Sequence, residues 1–334
     1  MLARHAESLF WAGRYLERAQ DTARLLDVAY HSQIEARPRQ ARQAWLELLQ
    51  VLSLDGAYSS EHETVDAEGV NDFLVLDPRN PGAVVTAVGR AREDARSVRE
   101  LLSNDLWLAI NDLHLGLRAR DVRFDLDQHP GQFYAYVKKS CQAVMGVASE
   151  TMPRTDGWRF FILGVLIERA EMTCRLLEVF VGRVMAADSE NRPDLARVLE
   201  SASATEAYLR RFSATSTTAD AVAFLLLSPT FPRSVFYCIT QAEGHLAALD
   251  GPGEASPPRR RLGRFRADLE FLDVGELMTT DLPAYLATLQ GRTLEVADEI
   301  TDLYFSGDVR ELQLQEWRGG PNIGFVDDDA GLVS

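Results

Sequence analysis

The sequence predicts an all-α protein in which two tandem, pseudo-symmetric helical units pack into one large helical bundle. Three observations support this prediction. Long stretches repeat their apolar residues with helical spacing, no stretch alternates apolar and polar residues as a strand would, and two motifs recur at one fixed distance. The balance of 46% hydrophobic and 25% charged residues is that of a folded globular chain.

The first recurring motif carries a Glu-Arg pair. Segments 13–28 and 164–179 align without gaps and are identical at nine of sixteen positions. The pairs themselves are Glu17-Arg18 and Glu168-Arg169, so the offset, from 17 to 168, is 151 residues. A single match of this kind can arise by chance between two helices.

The second recurring motif is Phe-Leu-x-Leu-x-Pro-x-x-Pro. It occurs at 73–81 and again at 224–232, and the offset from 73 to 224 is once more 151 residues. Two motifs that share one offset indicate an ancestral duplication. The predicted boundaries are 1–152 for the first helical repeat, 153–305 for the second, and 306–334 for a weakly ordered acidic tail.

Proline, glycine and capping residues set the expected helix limits. Pro38 should end the long first helix, and Pro81, with its fixed φ, suits the first turn of a later one. The polar segment 55–69 is expected to be a loop. The second Glu-Arg helix should begin at a Thr155 or Asp156 cap. Helices are predicted over 3–36, 41–54, 81–102, 104–119, 130–150, 156–186, 192–213, 218–227, 232–249, 260–278 and 282–305.

Charge and composition narrow the function classes. The net charge is −15, and such a surface repels phosphodiester backbones, so we expect no nucleic-acid partner. No apolar stretch is long enough to span a bilayer, and the N-terminus lacks the apolar core of a signal peptide. Three separated cysteines fit buried, reduced thiols, so we predict a cytoplasmic protein. They are Cys141, Cys174 and Cys238.

The Glu-Arg helices should bury their charges. Residues 158–167 are apolar on nearly every face, and Glu168 lies about 18 Å along the helix from Asp156. A buried ion without a partner is very costly, so each charge must be neutralised. Adjacent helical residues point about 100° apart, which disfavours pairing within one Glu-Arg pair. We therefore predict pairing across the two helices, Glu17 with Arg169 and Arg18 with Glu168.

Two interpretations of this charged set stay open. In one, it is a structural ion-pair network that fixes the register of two long helices. In the other, it lines a polar pocket for a carboxylate, a phosphate or a metal-bound nucleotide. The candidate residues are Glu17, Arg18, Glu168, Arg169, Arg14, Asp21, Arg24, Arg175, Arg92, Arg96 and Arg99.

The last three candidates form a separate stripe at positions i, i+4 and i+7. Like charges on one helical face repel unless carboxylates or a ligand neutralise them. The equivalents in the second repeat are Glu243, Ala247 and Asp250, so only the first repeat keeps the stripe. A solvated face with local Glu93 and Glu100 pairs is the alternative.

No motif identifies a catalytic residue, a cofactor or a metal. The sequence has no nucleophile elbow, phosphate-binding loop, dinucleotide fingerprint or HExxH motif. None of the six histidines follows a glutamate by three positions, which argues against a di-metal site of the ferritin type. The cluster of Arg259–Arg261 with Arg264 and Arg266 is either a solvated helix start or a surface for an acidic partner.

Several separated segments resemble the bacterial alpha-E domain family, whose helices carry a Glu-Arg motif. The resemblance covers about residues 2–305 and rests most strongly on the opening RHAESLFWAGRYLERA. Ser8 stands where many members have Asn. The other matching segments are 91–99 with Leu106-Trp107, 158–160 with 166–170, and 231–235.

The resemblance implies a partner more clearly than an activity. Members of the family tend to be encoded beside, or fused to, a circularly permuted ATP-grasp protein, often with a transglutaminase-like protein. We therefore expect an accessory partner of an ATP-grasp amide or peptide ligase. The alternatives are an independent enzyme that uses Glu and Arg on a carboxylate or amino-acyl substrate, and a purely structural scaffold.

Overall fold

The computed structural model describes residues 1–34, 38–187, 192–212, 217–279 and 281–305, and every regular element in these ranges is helical. The all-α prediction is confirmed. The first helices are α1 (Ala3–Ile34), α2 (Pro38–Val51), α3 (Asp55–Glu61), α4 (Ala67–Asn71), α5 (Val84–Ser97), α6 (Asn104–Ala119), α7 (Val122–Gln128) and α8 (Pro130–Thr151). The later ones are α9 (Asp156–Ala187), α10 (Arg192–Ser201), α11 (Thr205–Leu209), α12 (Thr218–Leu227), α13 (Val235–Asp250), α14 (Pro257–Glu270), α15 (Val274–Thr279) and α16 (Leu282–Tyr304). A π-helical turn, Asp72–Leu76, precedes α5, and a 3-10 turn, Arg99–Leu101, follows it.

Helices α1 and α9, each of 32 residues, form the centre of the bundle and cross at two glycines. A Cβ atom on Gly13 would lie 2.1 Å from the carbonyl oxygen of Phe161, and one on Gly164 would lie 2.0 Å from that of Phe10. Both pairs of positions, 13 with 164 and 10 with 161, are 151 residues apart. The crossing is therefore close and two-fold pseudo-symmetric. Around it, α5 and α8 pack against α1, while α13 and α16 pack against α9.

Other local features recur at nearly the same offset. Ser53 after α2 and Ser203 after α10 both adopt the left-handed conformation, with φ of 57° and 51°. Tyr58 and Tyr208, on the short helices that follow, are both buried. These correspondences favour the duplication, which stays our interpretation, as do the proposed repeat boundaries.

The prediction of a loop over 55–69 is wrong. This segment contains α3 and the start of α4, because Tyr58 is a core residue and Asp66 accepts a hydrogen bond from the Gly69 amide at 2.9 Å as an N-cap. Pro81 does not begin α5, which starts three residues later with Ala83 as its N-cap.

Other helix limits also differ from the prediction. Helix α7 was not predicted, although Asp121 caps it through the Phe124 amide at 3.1 Å. The predicted helix 192–213 is interrupted at Ser203, and the predicted helix 260–278 is interrupted at 271–273. Position 213, the end of the predicted first helix at 35–36 and the tail 306–334 lie outside the described residues.

The core surrounds both central helices and is continuous through the bundle. The described cysteines are all buried in it. Within the described ranges, no helix combines the length and the apolar character that a bilayer span requires.

Candidate functional site

The close crossing of α1 and α9 brings the two Glu-Arg pairs together. Each glutamate lies one helical turn beyond the glycine of its own helix. Arg169 donates from Nη2 to Oε2 of Glu17 at 2.9 Å, and Arg18 donates from Nε to Oε1 of Glu168 at 2.7 Å. Both predicted cross-helix pairs are thus present in the structure.

On one side of the crossing, Glu17 begins a linear series of charges. Arg233, in the turn before α13, places Nη2 2.6 Å from Oε1 of Glu17 and donates from Nη1 to Oδ1 of Asp21 at 2.9 Å. Arg24 then pairs with the same Asp21 oxygen and donates from Nε to a backbone carbonyl at the end of α10 at 2.6 Å. We call this set the Glu17 cluster: Arg169, Glu17, Arg233, Asp21 and Arg24.

On the other side, Glu168 begins a second series. Arg14 donates to Oε2 of Glu168 from Nε at 3.1 Å and from Nη2 at 2.9 Å, and its Nη2 also reaches Oε2 of Glu171 at 2.5 Å. Arg175 pairs with Glu171 and donates to the carbonyl oxygen just after α2 at 3.4 Å. We call this set the Glu168 cluster: Arg18, Glu168, Arg14, Glu171 and Arg175.

The two clusters have the same composition, three guanidiniums and two carboxylates, but not the same construction. The glutamates, their cross-helix arginines and the terminal arginines occupy equivalent positions, 151 residues apart. The bridging residues do not. Arg14 is on α1 itself, whereas Arg233 comes from a different segment, and its own equivalent is Gly82. The same network has therefore been completed by different residues on the two sides.

The clusters are almost enclosed. The Glu17 and Glu168 side chains are 0% and 1% exposed, and Arg169 is the most exposed member at 18%. Carboxylates removed from water this completely need charged partners, since desolvation alone would neutralise them. Each glutamate has two, and both come from the other central helix or its neighbours.

The surroundings of Glu17 keep it ionised. Burial alone would raise its pKa, but Arg169 and Arg233 outweigh burial and lower the pKa of Glu17 to about 2. A carboxylate with this pKa is a poor proton acceptor at neutral pH. The cluster therefore fixes charge at Glu17 and does not prepare it for proton transfer.

In other members of the clusters, the effect of burial on the pKa prevails over the effect of the charged partners. Burial raises the pKa of Glu168 and of Asp21 above the ordinary values, against the pull of their arginines. Burial, followed by the neighbouring Arg233, lowers the pKa of Arg24 to about 10. Across the part of the chain that the structure describes, no three His, Cys, Asp or Glu side chains converge as metal ligands would.

The stripe of Arg92, Arg96 and Arg99 is separate from both clusters. The guanidiniums of Arg92 and Arg99 each lie 5.6 Å from the ring centre of Trp107 on α6. Arg96 donates to the Glu93 carboxylate at 2.7 Å, as the alternative interpretation expected. The predicted Glu100 pair is wrong, because Glu100 lies 3.6 Å from His5 instead. The contacts of this stripe are those of a partly solvated face.

Sequence reasoning missed two members of the clusters, Glu171 and Arg233. Glu171 was detectable, since it follows Glu168 by three residues and shares its helical face. Arg233 follows the second proline of the recurring Pro motif, but nothing in its spacing indicates that it reaches α1. Only the folded arrangement reveals that contact.

Comparison with known proteins places the chain in a family. The family model described as a predicted alpha-helical domain with a conserved ER motif, Alpha-E, matches residues 1–305. Uncharacterized proteins of Mycobacterium bovis and Mycobacterium tuberculosis are each 27% identical to the chain over 321 residues, which is 88% of this chain and 36% of theirs. The chain thus spans about a third of the length of these relatives. No solved structure matches it. With its two Glu-Arg pairs at the helix crossing, the chain belongs to the Alpha-E family.

Proposed function

We propose that this protein is an accessory partner of an ATP-grasp amide or peptide ligase, and that its two ion clusters hold the bundle in register. The observation that carries the proposal is the pairing of each glutamate with two arginines. Glu17 is contacted by Arg169 and Arg233, and Glu168 by Arg14 and Arg18. Buried groups held in this way stabilise the packing of the helices more readily than they exchange protons with a substrate.

The length of the relatives supports action together with other protein segments. The region similar to this chain makes up 36% of each mycobacterial relative, so a unit of this kind also occurs joined to other sequence. The identity of the partner comes from the resemblance, which implies a circularly permuted ATP-grasp protein and, with it, a transglutaminase-like protein.

The test measures ATP consumption by the ATP-grasp protein of the same organism, with and without this chain. We expect the two to co-purify and the chain to change the rate of ATP turnover. Arg169→Lys keeps the charge but loses the planar guanidinium beside Glu17, so it should weaken the effect. Arg96→Lys, at an exposed position, is the matched control and should act as the wild type does. Proteins that neither co-purify nor alter each other's turnover would refute the proposal.

A second candidate is an independent enzyme acting on a carboxylate or amino-acyl substrate. The raised pKa of Glu168 favours it, because a buried carboxyl with an elevated pKa is suited to proton transfer. It requires that the purified chain alone convert such a substrate, and that Glu168→Gln abolish conversion while circular dichroism shows an intact fold. Full activity in the Gln variant would exclude this role for Glu168.

A further inference from the structure

A cleft between α14 and α16 is lined mainly by arginines. Its volume is about 390 Å³, which lies within the range of small-molecule sites. Helix α14 contributes three arginines, and α16 contributes a fourth together with one glutamate. The charged lining residues are Arg260, Arg261, Arg264, Arg292 and Glu299.

Two of these arginines are already neutralised by carboxylates. Arg261 donates from Nη2 to Oε1 of Glu299 at 2.6 Å, and it also pairs with Glu295. Arg292 donates to Asp268 at 2.6 Å. These pairs hold the walls of the cleft in place and leave little positive charge for a ligand.

The other two arginines have no carboxylate partner among the described residues. Arg260 donates from Nη1 to the carbonyl oxygen of Ala255 at 2.6 Å, and Arg264 has no hydrogen bond or ion pair within the described ranges. Both are exposed, and as i and i+4 residues of α14 they share one face and repel each other. In a chain with a net charge of −15, this is a local excess of positive charge that a bound anion would neutralise.

We propose that this cleft binds a small molecule through a phosphate group. Two guanidiniums without a carboxylate partner match the double charge of a phosphate group better than the single charge of a carboxylate. Their planar N–H donors, apart from the Arg260 donor that binds the Ala255 carbonyl, can contact several tetrahedral phosphate oxygens at once. The ligand would sit between Arg260 and Arg264 at the mouth, with Arg261 and Arg292 behind them. This inference does not depend on the ligase partnership, since it concerns a different surface and needs no second protein.

The test is calorimetric titration of the full chain with inorganic pyrophosphate. The double variant Arg260→Gln/Arg264→Gln should bind at least tenfold more weakly than the wild type. The control, Arg96→Gln/Arg123→Gln, removes the same charge from two exposed arginines that are 63% and 68% accessible elsewhere on the surface. It should bind as the wild type does.

Three results would overturn the proposal. The first is an absence of pyrophosphate binding to the wild type. The second is equal weakening in both double variants, which would reflect overall charge and not the cleft. The third is binding to vesicles of phosphatidylglycerol that depends on Arg260 and Arg264, without binding of pyrophosphate, since that would assign the cleft to a membrane surface.

Discussion

Replacement of Glu17 by glutamine tests the central role of the ion clusters. The change keeps the shape of the side chain and removes its charge, so Arg169 and Arg233 lose their shared carboxylate. A pKa lowered from 4.5 in the unfolded chain to about 2 in the folded one means that ionisation of Glu17 adds about 3 kcal/mol to the free energy of unfolding at neutral pH. Breaking a buried ion pair by removing one partner costs about 3–5 kcal/mol, so the two magnitudes agree.

Urea denaturation followed by circular dichroism measures this loss at pH 7. Glu61→Gln is the matched control, because Glu61 pairs with Arg79 at 2.6 Å on the exposed surface. An exposed pair of this kind contributes less than about 1 kcal/mol. We therefore expect the Glu17 variant to lose several times more stability than the Glu61 variant.

The pH dependence gives an independent check. The pKa of Glu17 is lower in the folded state than in the unfolded state, so its ionisation contributes stability above about pH 4.5. That contribution disappears as the pH falls towards 2. The difference between wild type and Glu17→Gln should accordingly be larger at pH 7 than at pH 3. A Glu17 variant no less stable than the Glu61 control, or a difference independent of pH, would refute the buried-pair argument.

Three further predictions concern the packing and the remaining titratable groups. Gly13→Ala should lower the free energy of unfolding in urea by about 1–3 kcal/mol, because the added methyl group would meet the α9 backbone. The control Gly146→Ala, at an exposed position within α8, should be neutral or stabilising. Equal effects of the two changes would argue against the close crossing. Burial and the nearby Glu7 carboxylate raise the pKa of Asp94 to about 8. The wild type should therefore lose stability relative to Asp94→Asn as the pH rises from 4 to 8, because the folded state disfavours the ionised carboxylate. Thermal melts in which the wild type instead gains stability relative to the variant over this range would contradict the prediction. Burial raises the pKa of all three cysteines, so a disulfide reagent should label them only after urea is added, and rapid labelling of the native chain would be inconsistent with their burial.

The central ion pairs could be predicted from the sequence because the recurring Glu-Arg motif indicates which residues, far apart in the chain, meet in the fold. Two copies of one motif, each on an apolar helix, required that each glutamate find an arginine nearby. Two-fold packing then paired Glu17 with Arg169 and Arg18 with Glu168. No such symmetry relates Arg233 to α1, so its contact with Asp21 could not be predicted from spacing.

Short elements were harder to predict than long ones for a physical reason. Helices α3, α4 and α7 have five to seven residues, too few for a periodic apolar pattern to stand out. Their stability comes from tertiary contacts such as the burial of Tyr58 and from caps such as Asp121. For the stripe of Arg92, Arg96 and Arg99, spacing alone left two interpretations open, because it does not reveal the contacts with Trp107 and Glu93.

The cross-helix pairing also constrains how the chain is made. Arg169 follows Glu17 by 152 residues, and at about 5–20 residues per second the ribosome needs roughly 8–30 s to synthesise that interval. Until then Glu17 on the nascent α1 lacks both of the arginines that neutralise it, Arg169 and Arg233. The native core therefore cannot be completed before α9 has been synthesised. Until then the N-terminal part of the chain is incompletely folded, and this is the stage of synthesis at which chaperone binding would matter most.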